Sequence, residues 1–135
     1  MGGALALVAA CAPAMRRAGF GRIVTIGTNL FRNPVVPYHD YVAAKAALLA
    51  FTRTAAKELG PAGVTANMVS GGLLRTTDAS AATPEAVFDL VAASSALGRV
   101  AAPQDVADAA LFFASPWARA VTGQELTVDC GLTFG

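Results

Sequence analysis

The sequence predicts an α/β fold, a parallel sheet covered by helices. Three observations predict it. Helix-like and strand-like segments alternate along the chain. The strand-like runs are short, rich in β-branched residues and bounded by glycine, as buried strands are. Hydrophobic residues make up 55% of the 135 residues and charged residues only 14%, so most elements need cover on more than one side.

Met1 to about Ala18 is rich in Ala and Leu and reads as a helix buried on most sides, ended by Gly19 and Gly21. Arg22-Ile23-Val24-Thr25-Ile26-Gly27 reads as a buried strand. Asn29 to Pro37 is a loop broken by Asn33-Pro34 and Pro37. Asp40 to Leu59 reads as a long helix, with His39 or Asp40 as its cap, Lys57 in its last turn and Gly60-Pro61 as its stop. Val64 to Val69 is a second strand and Ser70 to Thr83 a long loop. Pro84 and Pro103 each open a helix, as proline does at a first helical position. Pro116 closes the second of these, and Glu125 to Asp129 is a third strand. No repeat or linker divides the chain, so one domain over 1–135 is expected.

Several function classes are excluded by composition. The formal net charge is +1 and no basic stripe is present, so no nucleic-acid partner is expected. Cys11 and Cys130 lie far apart without metal-ligand spacing, which predicts two buried thiols in a reducing cytoplasm and no metal. Val8-Ala9-Ala10-Cys11 superficially matches a lipoprotein cleavage box. The charged Arg16 and Arg17, however, follow the apolar stretch instead of preceding it, and the stretch is too short to span a bilayer. No membrane association is expected.

The informative segment runs from Thr28 to Lys45. Tyr41 and Lys45 are four apart on one helix, so they share a face. Tyr41 sits near the helix start, where backbone N–H groups and the dipole favour negative charge. An ammonium beside a phenol stabilises the phenolate, which a phenol ionising near pH ~10 needs for proton exchange at neutrality. Thr28 ends the preceding strand. In a parallel sheet, strand C-termini and the following helix starts line one crevice, where all three groups can meet. A bare Tyr-x-x-x-Lys spacing is weak by itself, since a solvated helix face also produces it.

The surrounding segments are more specific. Gly21 to Thr28, then Tyr41-Val42-Ala43-Ala44-Lys45-Ala46-Ala47, resemble the active-site region of short-chain dehydrogenases/reductases. Leu59 to Asn67, Leu97-Gly98-Arg99, Pro103 to Ala107 and Val121 through Asp129 continue the resemblance in order, with the 3-oxoacyl-[acyl-carrier-protein] reductase-like branch nearest in tone. The resemblance implies a Rossmann-like doubly wound parallel sheet, of which these residues form the C-terminal portion, about three strands with flanking helices. It also implies an NAD- or NADP-dependent oxidoreductase acting on a small-molecule carbonyl or alcohol. Tyr41 would donate the proton to the carbonyl oxygen. Lys45 would favour the Tyr41 phenolate and hold the nicotinamide ribose. Thr28 would stand for the family's serine and hydrogen-bond the reacting oxygen. Gly72, Leu74 and Thr76 match the stretch that contacts the nicotinamide carboxamide. The helices at 2–18 and 40–59 match a family subunit interface, which implies a homo-oligomer.

The chain departs from the family pattern in places. No strand, glycine-rich turn and helix of the dinucleotide-binding type occurs within it, so the resemblance covers the C-terminal half. A catalytically inactive remnant acting as an interaction module is therefore the alternative reading. Thr28 keeps the hydroxyl but adds a methyl that restricts its rotamer. Gly71 replaces a usual proline and Cys130 a usual glycine. Tyr38 has Val42, not lysine, four residues on, and reads as a loop residue beside His39. Asn67 reads as a structural hydrogen-bonding residue, and Phe112 and Phe113 as core or subunit contact. Ala43, Ala46, Ala47 and Ala50 form a small-residue face for close helix packing.

Overall fold

The computed structural model describes residues 1–135. The elements run α1 (Gly2–Ala18), β1 (Gly21–Thr28), α2 (His39–Leu59), β2 (Val64–Gly71), α3 (Glu85–Ser94), α4 (Pro103–Ala114) and β3 (Glu125–Val128). The three strands form one parallel sheet in the order β1-β2-β3. Thr28 pairs with Gly71 and Gly71 with Val128, so the C-terminal ends of all three strands lie level.

Helices cover both faces of this sheet. On one face, Ile23 of β1 and Val64 and Ala66 of β2 pack with Ala55, Ala56 and Leu59 of α2, and α1 adds Val8, Ala12 and Met15. On the other face, Val69 packs with Phe113 of α4 and Ala118, supported by Val24, Val106 and Val128. The α/β class and doubly wound arrangement expected from the sequence are thus present. Being central, β2 is buried on both faces from Val64 to Ser70, so its polar Thr65, Asn67 and Ser70 are buried along with its apolar residues.

The structure corrects four expectations. α1 is not buried on most sides; none of its residues is buried, and Leu5 and Leu7 are exposed. One stripe reaches the core, and its Ala/Leu composition made the remaining faces look equally apolar. Cys130 is buried, but Cys11 on α1 is only half-buried for the same reason. Neither His39 nor Asp40 caps α2. Tyr38 occupies that position without a side-chain bond, and Asp40 instead lies in the first turn, where the dipole favours its charge. β2 runs on through Ser70 and Gly71, because both find partners in β1 and β3. No helix is long and apolar enough to cross a membrane.

One buried polar side chain is clamped from both sides. Asn67 is 0% exposed. Its Nδ2 donates to the Val121 carbonyl at 2.9 Å and its Oδ1 accepts the Gln124 N–H at 3.1 Å. The Thr122 hydroxyl accepts the Ala66 N–H at 3.1 Å. These bonds seat the approach to β3 against β2, the structural role expected of Asn67.

The start of α4 is fixed electrostatically. Asp105 accepts the Ala102 N–H at 2.8 Å and a two-pronged contact from Arg99 at 2.8 and 3.0 Å. The Arg99 hydrogen bonds first, then the Ala102 N–H, pull the Asp105 carboxyl from 3.8 down to about 2. A carboxyl whose pKa falls on folding contributes stability that is complete above about pH 4 and is lost as the pH drops toward 2. Asp105→Asn is therefore expected to weaken the fold at neutral pH and to flatten the acid side of the stability profile. An acid-unfolding curve that keeps its shape in the variant contradicts this.

Candidate active site

A cleft of about 270 Å³ opens beyond the C-terminal ends of β1 and β2. Thr28, Tyr41, Gly72 and Leu74 line it, with Ile26 and Val106 as apolar walls. Each arrives there for a local reason. Thr28 is the last residue of β1 and is 5% exposed. Its Oγ1 accepts the Leu30 N–H at 3.3 Å and so caps the short helical turn Asn29–Phe31. The hydroxyl hydrogen is not used in that bond and is free to donate into the cleft.

Tyr41 stands in the first turn of α2, is 46% exposed and lines the cleft. Lys45 follows one turn later, and its Nζ lies 5.8 Å from the Tyr41 ring centroid. The same Nζ donates to the Ile26 carbonyl at 2.8 Å. That bond ties α2 to β1 where Thr28 is about to enter the cleft. Lys45 does not itself line the cleft, but two of its three hydrogens remain for other acceptors.

The loop after β2 carries the remaining predicted residues. Gly72 is not in the left-handed region, so its glycine is required by space and not by backbone angle. A Cβ there would lie 2.6 Å from Asn29 Nδ2. Leu74 lines the cleft and bridges to Ala101. Thr76 is not among the cleft's lining residues. It is exposed, has φ 61° and donates its hydroxyl to the Arg75 carbonyl at 2.7 Å. It borders a neighbouring depression, where Arg75 pairs with Glu85 at 2.7 Å and lies 4.4 Å from the Phe88 ring centroid. The strand ends and α2 therefore bring together Thr28, Tyr41, Gly72 and Leu74, with Lys45 behind them and Thr76 outside.

Sequence reasoning missed Asn29 and Asp129. Asn29 follows Thr28, and its Nδ2 donates to Asp129 Oδ2 at 3.1 Å across 100 residues of sequence. No local spacing carries that signal, because the contact exists only once β1 and β3 are in register with β2.

These side chains gather at the C-terminal ends of parallel strands, the end at which open α/β sheets hold ligands. The profile of the family described as Enoyl-(Acyl carrier protein) reductase matches residues 1–133. The chain belongs to the short-chain dehydrogenases/reductases, of which it carries the C-terminal half. It is 46% identical over 89 residues to a 3alpha-hydroxysteroid dehydrogenase of Mediterraneibacter gnavus, covering 66% of this chain and 35% of that protein. It is 34% identical to the 3-oxoacyl-[acyl-carrier-protein] reductase FabG of Salmonella typhimurium, over 88% of this chain and 48% of that protein. A short-chain type dehydrogenase/reductase from Mycobacterium ulcerans superposes with a TM-score of 0.88 at 33% identity, over 98% of this chain and 48% of that one. The chain thus spans about half the length of the curated relatives it matches.

Proposed function

We propose that this chain carries the catalytic half of an NAD(P)-dependent oxidoreductase that reduces a carbonyl to an alcohol, or runs the reverse. The single observation behind this is the convergence of Thr28 and Tyr41 on one cleft, with Lys45 one helical turn from Tyr41. The cleft fits the nicotinamide end of such a cofactor. It offers apolar walls at Ile26, Leu74 and Val106 for a flat ring, and an open backbone at Gly71 and Gly72 for its polar edge. The residues of this cleft would hold the nicotinamide, whose chemistry when bound is hydride transfer to or from the carbonyl carbon.

The protein's part is to handle the oxygen. The Tyr41 phenol gives its proton to the carbonyl oxygen as that oxygen gains charge, and takes it back in the oxidative direction. The Thr28 hydroxyl donates to the same oxygen, and a donor aimed at developing charge counts for more in a partly buried cleft than in water. Lys45, one helical turn from Tyr41, would hold the nicotinamide ribose with the hydrogens that its bond to the Ile26 carbonyl leaves unused. The loop of Gly72, Leu74 and Thr76 would hold the carboxamide side.

A short β-ketoacyl thioester is the substrate we assign, on the likeness to FabG. The test is oxidation of NADPH and of NADH by the protein expressed from its complete reading frame. The thioester and a 3-ketosteroid are to be offered separately. Turnover of the thioester supports the assignment. Turnover of the ketosteroid alone keeps the oxidoreductase and removes the acyl substrate, and turnover of neither contradicts the reading. Within the same assay, Thr28→Ser is expected to keep activity, whereas Thr28→Val loses about 100-fold in kcat. Equal rates for both variants would deny the hydroxyl a role.

A second reading rests on a different observation. α1 buries none of its residues, and Ala43, Ala46, Ala47 and Ala50 of α2 are exposed. We propose that these two helices pair with the same helices of a second copy, whether or not the chain turns over. Small residues let the paired helices approach closely. Sizing experiments that find only monomer contradict this.

A further inference from the structure

The strand ends that form the cleft are joined beneath it by a buried polar cluster. Asp129, 7% exposed, follows β3 and accepts from five donors. They are Asn29 Nδ2 at 3.1 Å, the N–H groups of Gly131, Leu132 and Thr133 at 3.2, 3.2 and 3.1 Å, and the Thr133 hydroxyl at 2.7 Å. Asn29, 5% exposed, follows β1. Its carbonyl accepts the N–H groups of Arg32 at 2.9 Å and Asn33 at 3.1 Å, so it anchors the turn that Thr28 caps. Gly72, just after β2, lies against both side chains. A Cβ on it would come within 2.6 Å of Asn29 Nδ2 and 3.3 Å of the Asp129 Cβ.

The consequence is geometric. β1 and β3 do not touch, since β2 lies between them. The Asn29–Asp129 bond links them past the end of β2, and Gly72 is a glycine because that bond occupies the space of a side chain. Thr28 Oγ1 points where it does because it is bonded to the turn that Asn29 pins. A buried carboxylate with five donors is a rigid anchor, since displacing it would leave several N–H groups unpaired.

We propose that Asn29 and Asp129 are positioning residues that aim the Thr28 hydroxyl at the reacting oxygen and hold the Gly72 backbone open beside it. This rests on the oxidoreductase reading. It adds two residues that touch neither substrate nor cofactor and act through Thr28.

The test is a double-mutant cycle of Asn29→Ala and Thr28→Val, with kcat and KM measured in the protein expressed from its complete reading frame. Asn29→Ala alone is expected to lower kcat about 10- to 100-fold, as small misplacements of a reacting group do. In the Thr28→Val background it should change kcat by less than about twofold, because the hydroxyl it aims is gone. A purely structural role predicts the same loss in both backgrounds, and that additivity overturns the assignment. Gly72→Ala supplies a second arm. Its Cβ should push the Asn29 amide aside, so it should lower kcat alone and add little on top of Asn29→Ala. A readout independent of turnover is amide exchange at Leu30, whose N–H bonds Thr28 Oγ1. Exchange there should quicken in Asn29→Ala while protection in central β2 is kept. Unchanged Leu30 exchange overturns the proposal. Absence of turnover in the unaltered protein contradicts the oxidoreductase reading and this assignment with it, whereas additivity in an active protein removes only the assignment.

Discussion

Tyr41→Phe is expected to abolish useful turnover, with kcat lowered about 100- to 10,000-fold, the range a general acid contributes. The protein should otherwise stay intact. Tyr41 is 46% exposed, and its hydroxyl makes no hydrogen bond within the chain, so its removal leaves no buried group unpaired. Lys45 keeps its bond to the Ile26 carbonyl in the variant, so the tie between α2 and β1 survives. Thermal unfolding should therefore be unchanged while activity falls. A variant that retains full activity places the proton donor elsewhere. One that loses activity together with its fold assigns Tyr41 a structural role.

Asn67→Ala is expected to give the largest loss of stability, about 2–4 kcal/mol. Two contributions act together. Removing a fully buried side chain leaves a cavity in central β2. It also leaves the Val121 carbonyl and the Gln124 N–H without their partner, and unpaired buried backbone groups are costly. In a domain of this size such a loss lowers the melting temperature by about 10 °C. β3 is short, and the clamp sits at its entry beside the backbone bonds of Gly123 to Ala66 and of Met68 to Gln124, so amide exchange should quicken first in Glu125–Val128. A melting temperature within about 2 °C of the unaltered protein would show that water replaces the lost bonds, contrary to expectation.

Local signals told most of the fold. β1 and β2 were legible because β-branched runs between glycines have few alternatives in a buried setting. α2 was legible from its length and its Gly60-Pro61 stop, and α4 from the proline that opens it. Burial was less legible. Alanine and leucine on every side made α1 look enclosed, yet only Val8, Ala12 and Met15 find partners. Composition states what a surface is made of, not what covers it. The start of α2 misled for a related reason, since His39 and Asp40 have the chemistry to cap but fall inside the first turn.

The candidate site was legible in proportion to how local it is. Tyr41 and Lys45 lie one helical turn apart and Thr28 ends a strand, so spacing suggested them and the resemblance of the surrounding segments singled them out. Gly72 and Leu74 were placed by resemblance, and the backbone brings both to the cleft. Thr76, placed in the same way, is exposed, has a positive φ and stays outside the cleft. The Asn29–Asp129 pair was invisible, because it depends on strand order and register and on no pattern within either segment.

The most direct measurement is a crystal structure of the protein from its complete reading frame, with dinucleotide and an unreactive alcohol bound. The alcohol oxygen is expected within about 3.2 Å of both the Tyr41 phenol oxygen and Thr28 Oγ1, with the nicotinamide ring in the cleft between Ile26 and Leu74. An alcohol oxygen held by other residues, or a nicotinamide lying away from these strand ends, contradicts the account.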